Sequence, residues 1–314
     1  MRSNDSKAPA PAPQAAPRRV LVTGASGLLG GRIAERLRQS FEVIAAFHQA
    51  PGDGGGEDVR LDLGAPFSVT AAFDRARPDA VVHSAALSDV DRCEREPELA
   101  RSVNVSGSER IAQACAARGL ALVALSTDLV FPGELAFSPE GAAPGPLSVY
   151  GRTKLEGEAA VLALCPWAAV VRVALVVGRG HGPRGTGTEA IAWALRAGRS
   201  VRLFSDQYRT PIDADSVAEA IALVLQRRGR GSYHLGGPER LSRYELGLRV
   251  AQVLGLPSAD LEAVAYRDRP TEGPRPADVS LDSRRARVEL DWTPRRLEAA
   301  ILLGRAAPDI IAPR

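Results

Sequence analysis

The sequence predicts an α/β protein, a doubly wound parallel sheet followed by a smaller C-terminal α+β lobe. Three observations carry this. From Arg18 to about residue 178, short continuous apolar runs alternate with helix-length segments, the pattern of parallel strands covered on both faces. The first run leads through a glycine-rich turn straight into a helix. Beyond residue 178 the segments shorten and are broken by Gly and Pro, so they extend the sheet little. At 314 residues there is room for about two domains. The expected division is a tail at 1–17, a sheet domain at 18–178 completed by parts of 214–235, and a lobe at 179–314.

Residues 1–17, through APAPAPQAAP, are rich in Pro and Ala without apolar periodicity. They read as a disordered tail, and they lack the apolar h-region of a secretory signal. Val20–Val22 form the first strand, and Leu28, Ile33, Ala34 and Leu37 line one face of the first helix. Further strands are expected at Phe41–Phe47, Val59–Leu63, Ala80–His83, Leu120–Leu125 and Ala168–Val177, with a helix over Glu98–Ala117 before the fifth. Gly178–Gly187 is a loop. Glu189–Arg196 and Ser216–Gln226 read as helices and Ser232–Leu235 as a strand. Ser242 caps a helix reaching Leu254, with Glu245 in the capping-box position. Pro270–Pro276 is a break, and two short helices end the chain.

Composition excludes several classes. Apolar residues are 45% and charged residues 25%, as in ordinary globular proteins. A net charge of +3 is too small and dispersed for a nucleic-acid partner. Arg172 interrupts the longest apolar stretch, so no membrane span is expected. Three separated cysteines (Cys93, Cys115, Cys165) argue against a disulfide scaffold and fit a reducing cytoplasm. Four scattered histidines give no metal-ligand spacing, so no metal is expected.

The turn Thr23-Gly24-Ala25-Ser26-Gly27-Leu28-Leu29-Gly30 lies between strand and helix. Glycines there let backbone approach phosphates, and the helix N-terminus offers free N–H groups and a positive dipole. The reading is a Rossmann-type dinucleotide site, with residues 179–314 as the substrate-binding lobe. NAD-preferring sites end the second strand in a carboxylate that takes the ribose 2′-OH. Here the strand ends Ala45-Ala46-Phe47-His48, with no acid until Asp53 and no arginine to clamp a 2′-phosphate. NADP(H) is slightly preferred, with NAD(H) also accommodated.

Tyr150-Gly-Arg-Thr-Lys154 is the sharpest signal. Tyr and Lys four apart share one helix face at about 5–6 Å. An ammonium beside a phenol favours the phenolate, drawing the phenol pKa toward neutrality. Such a tyrosine can pass a proton to a ketone oxygen while hydride arrives at carbon. Five tyrosines and two lysines in 314 residues give only about 0.03 chance matches at this spacing. Lys154 is also the one lysine outside the tail, in a chain that otherwise uses arginine. Leu125-Ser126-Thr127-Asp128 follows the fifth strand, where a hydroxyl can polarise a substrate carbonyl.

With these motifs the chain resembles the short-chain dehydrogenase/reductase superfamily, in the extended branch whose first strand ends T-G-x-x-G-x-x-G. Four segments are similar to the dTDP-4-dehydrorhamnose reductase family: His83-Ser-Ala-Ala-Leu-Ser-Asp-Val-Asp-Arg-Cys-Glu, Ser126-Thr-Asp-Leu-Val-Phe-Pro-Gly, Pro146 to Glu158, and Asp206-Gln-Tyr-Arg-Thr-Pro. Arg275-Pro-Ala-Asp-Val-Ser-Leu-Asp-Ser fits as well, and the resemblance runs from Arg18 to about Leu303. It implies a sugar nucleotide reductase with catalytic Thr127 (Ser126 as fallback), Tyr150, Lys154 and Asn104. The cofactor would touch Gly24, Ser26, Gly27, Leu28, Leu29, Gly30, Asp62, Leu63, Ala85, Ala86 and Leu87, with Tyr150 and Lys154. The substrate would touch Ser88, Val90, Thr127 and Asp128. Leu129 and Leu175 stand where the family places tyrosine and tryptophan against the sugar, which puts the substrate in question. An epimerase or dehydratase remains open, since Asp128 directly follows the catalytic hydroxyl. So does a non-catalytic NADP-binding subunit resembling the β subunit of methionine adenosyltransferase. The expected setting is cytoplasmic, with a nucleotide-sugar substrate and a homodimer left open.

Overall fold

The computed structural model describes residues 17–48, 58–181, 185–268, 271 and 273–305. The expected tail, apart from Pro17, and Asp53 lie outside them, as does part of each of the two expected breaks, Gly178–Gly187 and Pro270–Pro276.

Strand β1 (Arg19–Thr23) sends Val20 and Val22 to one side of the sheet and Leu21 to the other, all fully buried. That period of two sets up two separate cores. The next strands are β2 (Glu42–Phe47), β3 (Val59–Arg60), β4 (Ala80–His83), β5 (Ala121–Thr127) and β6 (Ala169–Val173). Outside the main sheet lie β7 (Val176–Val177), β8 (Val201–Phe204), β9 (Tyr208–Arg209) and β10 (Ile212–Asp213), after which β11 (Gly231–Leu235) returns to it. Short β12 (Leu241–Ser242) pairs with β9 and β13 (Leu261–Val264) with β8.

The seven-stranded sheet is parallel throughout, in the order β11-β6-β5-β4-β1-β2-β3. The chain winds outward from β1 to β3, then from β4 the other way. The reversal between β1 and β4 opens a crevice at the strands' C-terminal ends, where such sheets bind ligands.

The helices are α1 (Leu28–Leu37), α2 (Pro66–Ala76), α3 (Val90–Arg95), α4 (Pro97–Arg101), α5 (Gly107–Arg118), α6 (Val149–Leu164), α7 (Gly187–Arg196), α8 (Ala214–Arg227), α9 (Arg243–Leu254), α10 (Arg284–Leu290) and α11 (Leu297–Arg305). Residues of α1, α8 and α10 cover one face of the sheet, and residues of α2, α5 and α6 cover the other. A third core gathers Val177, Ile191, Leu195, Leu203, Leu246, Val250, Leu261 and Ile301. Ser242 and Glu245 form the expected capping box, and Thr186 with Glu189 forms a second at the start of α7.

Two expected elements are divided. The Ala168–Val177 run leaves the sheet after Val173, because Val176 and Val177 pair with Ile212 and Asp213 instead. The Glu98–Ala117 helix is interrupted by a π-helical turn at Ser102–Ser106, with buried Asn104 at its centre. Such bulges in helices often accompany functional sites.

Candidate active site

A cavity of about 1140 Å³ opens along the C-terminal ends of the strands. Its floor on one side is the glycine turn. Gly24 has φ +70°, and a Cβ there would meet the Ala85 backbone at 2.8 Å; a Cβ on Gly30 would meet the Gly24 carbonyl at 2.2 Å. The turn therefore packs directly on β4's continuation and on its own helix. No side chain caps α1, and its first turn carries no acid. Its N–H groups and dipole are available to an anion such as a pyrophosphate.

Of the residues expected from the sequence, the cavity lining brings together the glycine-turn set, Asp62 and Leu63, Ala85 to Ser88, Thr127, Asp128, Tyr150 and Lys154. It does not include Val90 or Asn104. Val90 opens α3, and its Cγ1 lies 2.8 Å from where a Cβ on Gly273 would stand. Asn104, 1% exposed, positions the wall instead. Its Oδ1 accepts from the Leu87 N–H at 2.8 Å, while Nδ2 donates to the Leu87 carbonyl and the Thr153 hydroxyl, each at 3.1 Å.

A second polar chain behind the glycine turn was not legible in the sequence. The Thr23 hydroxyl accepts from the Ser84 and Ala85 N–H groups, each at 3.1 Å, so its own proton points to His83 Nδ1 at 2.8 Å. Nε2 then carries the ring proton toward Ser108 Oγ at 3.2 Å, and Ser108 donates to the Asn104 carbonyl at 2.6 Å. His83 is a neutral strut between β1, β4 and α5, its pKa pushed down to about 3 by burial and by Lys154.

Tyr150 and Lys154 stand on α6, whose N-cap Ser148 accepts from the Gly151 N–H. Lys154 is 6% exposed and donates to the Leu125 carbonyl at 2.8 Å. Burial lowers its ammonium to about 8, with Glu158 acting in the opposite direction. The phenol of Tyr150 is raised above its usual range by burial and by the Asp128 carboxylate, while the Thr127 hydroxyl pulls it down. This corrects the expectation that Lys154 brings the phenol toward neutrality. The ammonium is committed to Leu125, and burial dominates. A phenol so placed keeps its proton at neutral pH, the form in which it can donate.

Ser126 and Thr127 end β5 rather than following it, and the two hydroxyls diverge. Ser126 donates to the buried Glu158 carboxylate. Thr127 donates to Asp128 Oδ1 at 3.1 Å and accepts from the Leu129 N–H at 3.2 Å. Asp128 is 5% exposed, and burial lifts its carboxyl to about 6 against the pull of Arg209. Its Oδ2 lies 3.9 Å from Arg209 Nε and accepts no hydrogen bond among the described residues.

Past Asp128 the wall turns basic with Arg209, Arg243 and Arg275, and Gln207 lies beside them. Gln207 Nε2 is buried with no partner among the described residues. Arg243 is lowered to about 10, mainly by burial and secondarily by Arg209. Sequence reasoning did not select these arginines, because arginine is this chain's default cation and a site arginine looks like any other. Leu129 and Leu175 also line the cavity. At the opposite end, His48 Nε2 lies 3.6 Å from Asp62 Oδ2, both substantially exposed. Among the described residues, no helix is long and apolar enough to cross a membrane, and no group of three or more His, Cys, Asp or Glu residues could hold a metal ion.

The chain matches the family model of the RmlD substrate binding domain over residues 18–303. It is 33% identical over 285 residues to the probable low-salt glycan biosynthesis reductase Agl14 of Haloferax volcanii, covering 88% of this chain and 94% of that protein. It is 32% identical over 273 residues to methionine adenosyltransferase 2 subunit beta of Xenopus laevis, covering 84% and 80%. A hypothetical dTDP-4-dehydrorhamnose reductase from Sulfolobus tokodaii superposes with TM-score 0.79 at 33% identity, covering 89% of this chain and 98% of that one. MoeE5 in complex with UDP-glucose and NAD gives TM-score 0.78 at 26% identity, covering 91% and 97%. Because the agreement runs through the sheet, the site and the lobe alike, the chain belongs to the RmlD substrate-binding domain family, within the extended short-chain dehydrogenase/reductases.

Proposed function

We propose that the chain is an NAD(P)H-dependent reductase of a 4-keto nucleotide sugar of the dTDP-4-dehydrorhamnose type. Residues 18–178 would hold the cofactor and 179–314 the substrate. The observation that carries the reading is one cavity shared by the open N-terminus of α1, the Tyr150–Lys154 pair and the Thr127 hydroxyl. The relatives named as reductases support it, as does the nucleotide-sugar and NAD complex of MoeE5.

A nicotinamide dinucleotide bound along the glycine turn supplies the hydride. Tyr150 gives its proton to the ketone oxygen as that oxygen gains charge, so a carbonyl becomes an alcohol. Thr127 holds the same oxygen by its hydroxyl, with Asp128 accepting from Thr127 until substrate takes its place. Lys154, held by the Leu125 carbonyl, lines the same cavity one helical turn from Tyr150 and would hold the nicotinamide ribose. The wall formed by Arg209, Arg243 and Arg275 suits the diphosphate of a nucleotide sugar. At the adenine end, β2 offers no carboxylate to a ribose 2′-OH, which supports NADP(H) at least equal to NAD(H).

Incubation of the pure protein with NADPH or NADH and a panel of 4-keto nucleotide sugars tests the proposal. Cofactor oxidation with at least one sugar is expected. The second reading, a cofactor-binding subunit without turnover, rests on the identity with methionine adenosyltransferase 2 subunit beta. It predicts tight cofactor binding and no oxidation with any sugar. Conversion without net cofactor oxidation would point to an epimerase or dehydratase using Asp128. A cytoplasmic location belongs to the proposal.

A further inference from the structure

Beneath the cavity floor lies a buried ion pair that the proposed chemistry does not use. Arg172 of β6 and Glu158 of α6 have side chains only 7% and 5% exposed. Arg172 Nε lies 3.1 and 3.2 Å from the two carboxylate oxygens, and Nη2 lies 2.7 Å from Oε2. Ser126 donates to the remaining Oε1 position. Arg172 Nη1 donates to His234 Nε2 at 3.3 Å, and His234 Nδ1 donates to the Ser138 carbonyl at 3.0 Å. The Phe131 ring closes the cluster 5.1 Å from the guanidinium. A buried pair of this kind seldom makes a fold more stable than apolar side chains of similar volume would. Its place in the molecule suggests what else it does.

Glu158 follows Lys154 by four residues, so the two occupy one face of α6, a turn apart. Lys154 donates to the Leu125 carbonyl, and Ser126 donates to Glu158. The helix is thus tied to β5 at two successive residues, and the next residue along β5 is Thr127. We propose that Glu158, clamped by Arg172 and Ser126, is a positioning residue that ties α6 to β5 and sets its negative charge one helical turn from Lys154 where that residue donates to Leu125. The proposal rests on the reading of Lys154 as part of the catalytic set.

The charges around Lys154 allow it. On its own helix stand Tyr150 and Glu158. His83 on β4 is neutral, and so is His234 on β11, which sits behind Arg172 and is lowered to about 4 by burial and by Arg172. Asp128 follows β5, pairs with Arg209 and borders Tyr150. Burial favours loss of the Lys154 proton, and Glu158 opposes that loss. Arg172 faces the Glu158 carboxylate from the far side and pairs its charge within the core.

Only two lysines occur in the chain, Lys7 and Lys154. In a Lys7→Arg protein labelled with ¹³C,¹⁵N-lysine, every lysine side-chain NMR signal belongs to Lys154, and its titration can be followed without cofactor or substrate. In Glu158→Gln the midpoint should fall by about one unit or more, the usual effect of losing an opposite charge nearby. Glu158→Asp, which keeps the carboxylate, should recover most of that shift. Loosened packing would instead move the midpoint upward toward a free lysine value of about 10.4. A folded Glu158→Gln protein whose midpoint is unchanged or raised overturns the proposal. If that variant does not fold, the neutral pair Glu158→Gln/Arg172→Gln decides. Glu158 is the charge that acts on Lys154, so a fall supports the proposal and an unchanged or raised midpoint overturns it. In turnover, the alkaline limb of kcat/KM should move to lower pH by the same amount. Because the titration needs no reaction, its failure is separable from failure of the reductase reading, which the keto-sugar panel tests alone.

Discussion

Tyr150→Phe removes one oxygen from the cavity and leaves the ring, the Ser148 cap and the α6 register in place. Stability should change by about 1 kcal/mol or less, the net scale of a single hydrogen bond. Calorimetric affinity for NADPH should hold within about threefold, that is about 0.7 kcal/mol. Turnover should fall about 10²–10⁴-fold, the usual contribution of a positioned general acid. The loss belongs at the upper end of that range at pH 7.5, because burial keeps the phenol in its donor form and the alternative acid is nearly all ionised. That alternative is Asp128, whose carboxyl sits at about 6. Its protonated fraction rises from about 3% at pH 7.5 to about half at pH 6. Residual activity of Tyr150→Phe should therefore climb roughly 15-fold as pH falls over that interval, and Asp128→Asn in the same background should abolish the climb. Steady-state kcat across pH 5.5–8.5, with the most reactive keto sugar, measures both effects. Near-full activity at pH 7.5 would refute the assignment of Tyr150 as the acid. Loss of cofactor binding in step with activity would show that the phenol acts on binding instead.

Three other outcomes follow. Binding of NADP(H) should be at least equal to that of NAD(H) by calorimetry, and a tenfold preference for NAD, about 1.4 kcal/mol, contradicts the reading of the β2 end. The enzyme should use dTDP-4-dehydrorhamnose poorly or second best, because Leu129 and Leu175 line the cavity where aromatics would face the sugar. Leu129→Tyr/Leu175→Trp should then raise kcat/KM on that sugar about 10–200-fold, whereas an unchanged value would make the leucines neutral. Finally, His83 takes up no proton in the folded chain until about pH 3, whereas unfolded chains protonate it near 6.5. The unfolded state thus binds more protons across that window, so stability falls as pH drops through it. His83 alone should cost about 2 kcal/mol between pH 7 and pH 5, and denaturant titrations of His83→Gln should show a correspondingly flatter dependence.

The sequence already carried the features that depend on local spacing. Strand-length apolar runs, the turn at Gly24–Gly30 and the four-residue step from Tyr150 to Lys154 each encode their geometry within a few residues. Features that depend on distant partners did not show. Arg172 read as a break in an apolar stretch, although the sheet buries it whole against Glu158, fourteen residues earlier on α6. Asn104 was expected in the catalytic set by resemblance alone, and nothing in its local sequence showed the π turn in which it hydrogen-bonds Leu87, seventeen residues back. The Ala168–Val177 run shows no internal mark where Val176 exchanges one pairing partner for Ile212. Arg209 and Arg243 were hidden by abundance, since nearly every cation in the chain is an arginine.

The two faces of the sheet close at very different times during synthesis. One face is sealed by α2, α5 and α6, all complete by Leu164. The other waits for Val217, Ile221, Val224 and Leu225 of α8 to meet Ile33, Ala34 and Leu37 of α1. The end of α8 at Arg227 comes 190 residues after the end of α1 at Leu37. At 5–20 residues per second, that is roughly 10–40 s of translation with Val20 and Val22 still lacking part of their cover. The nascent chain therefore presents a half-finished sheet to the ribosome exit and to chaperones for most of its synthesis. A fragment stopped near residue 178, although it contains every residue of the glycine turn and of the Tyr150–Lys154 pair, would be an aggregating intermediate and not a free-standing cofactor module.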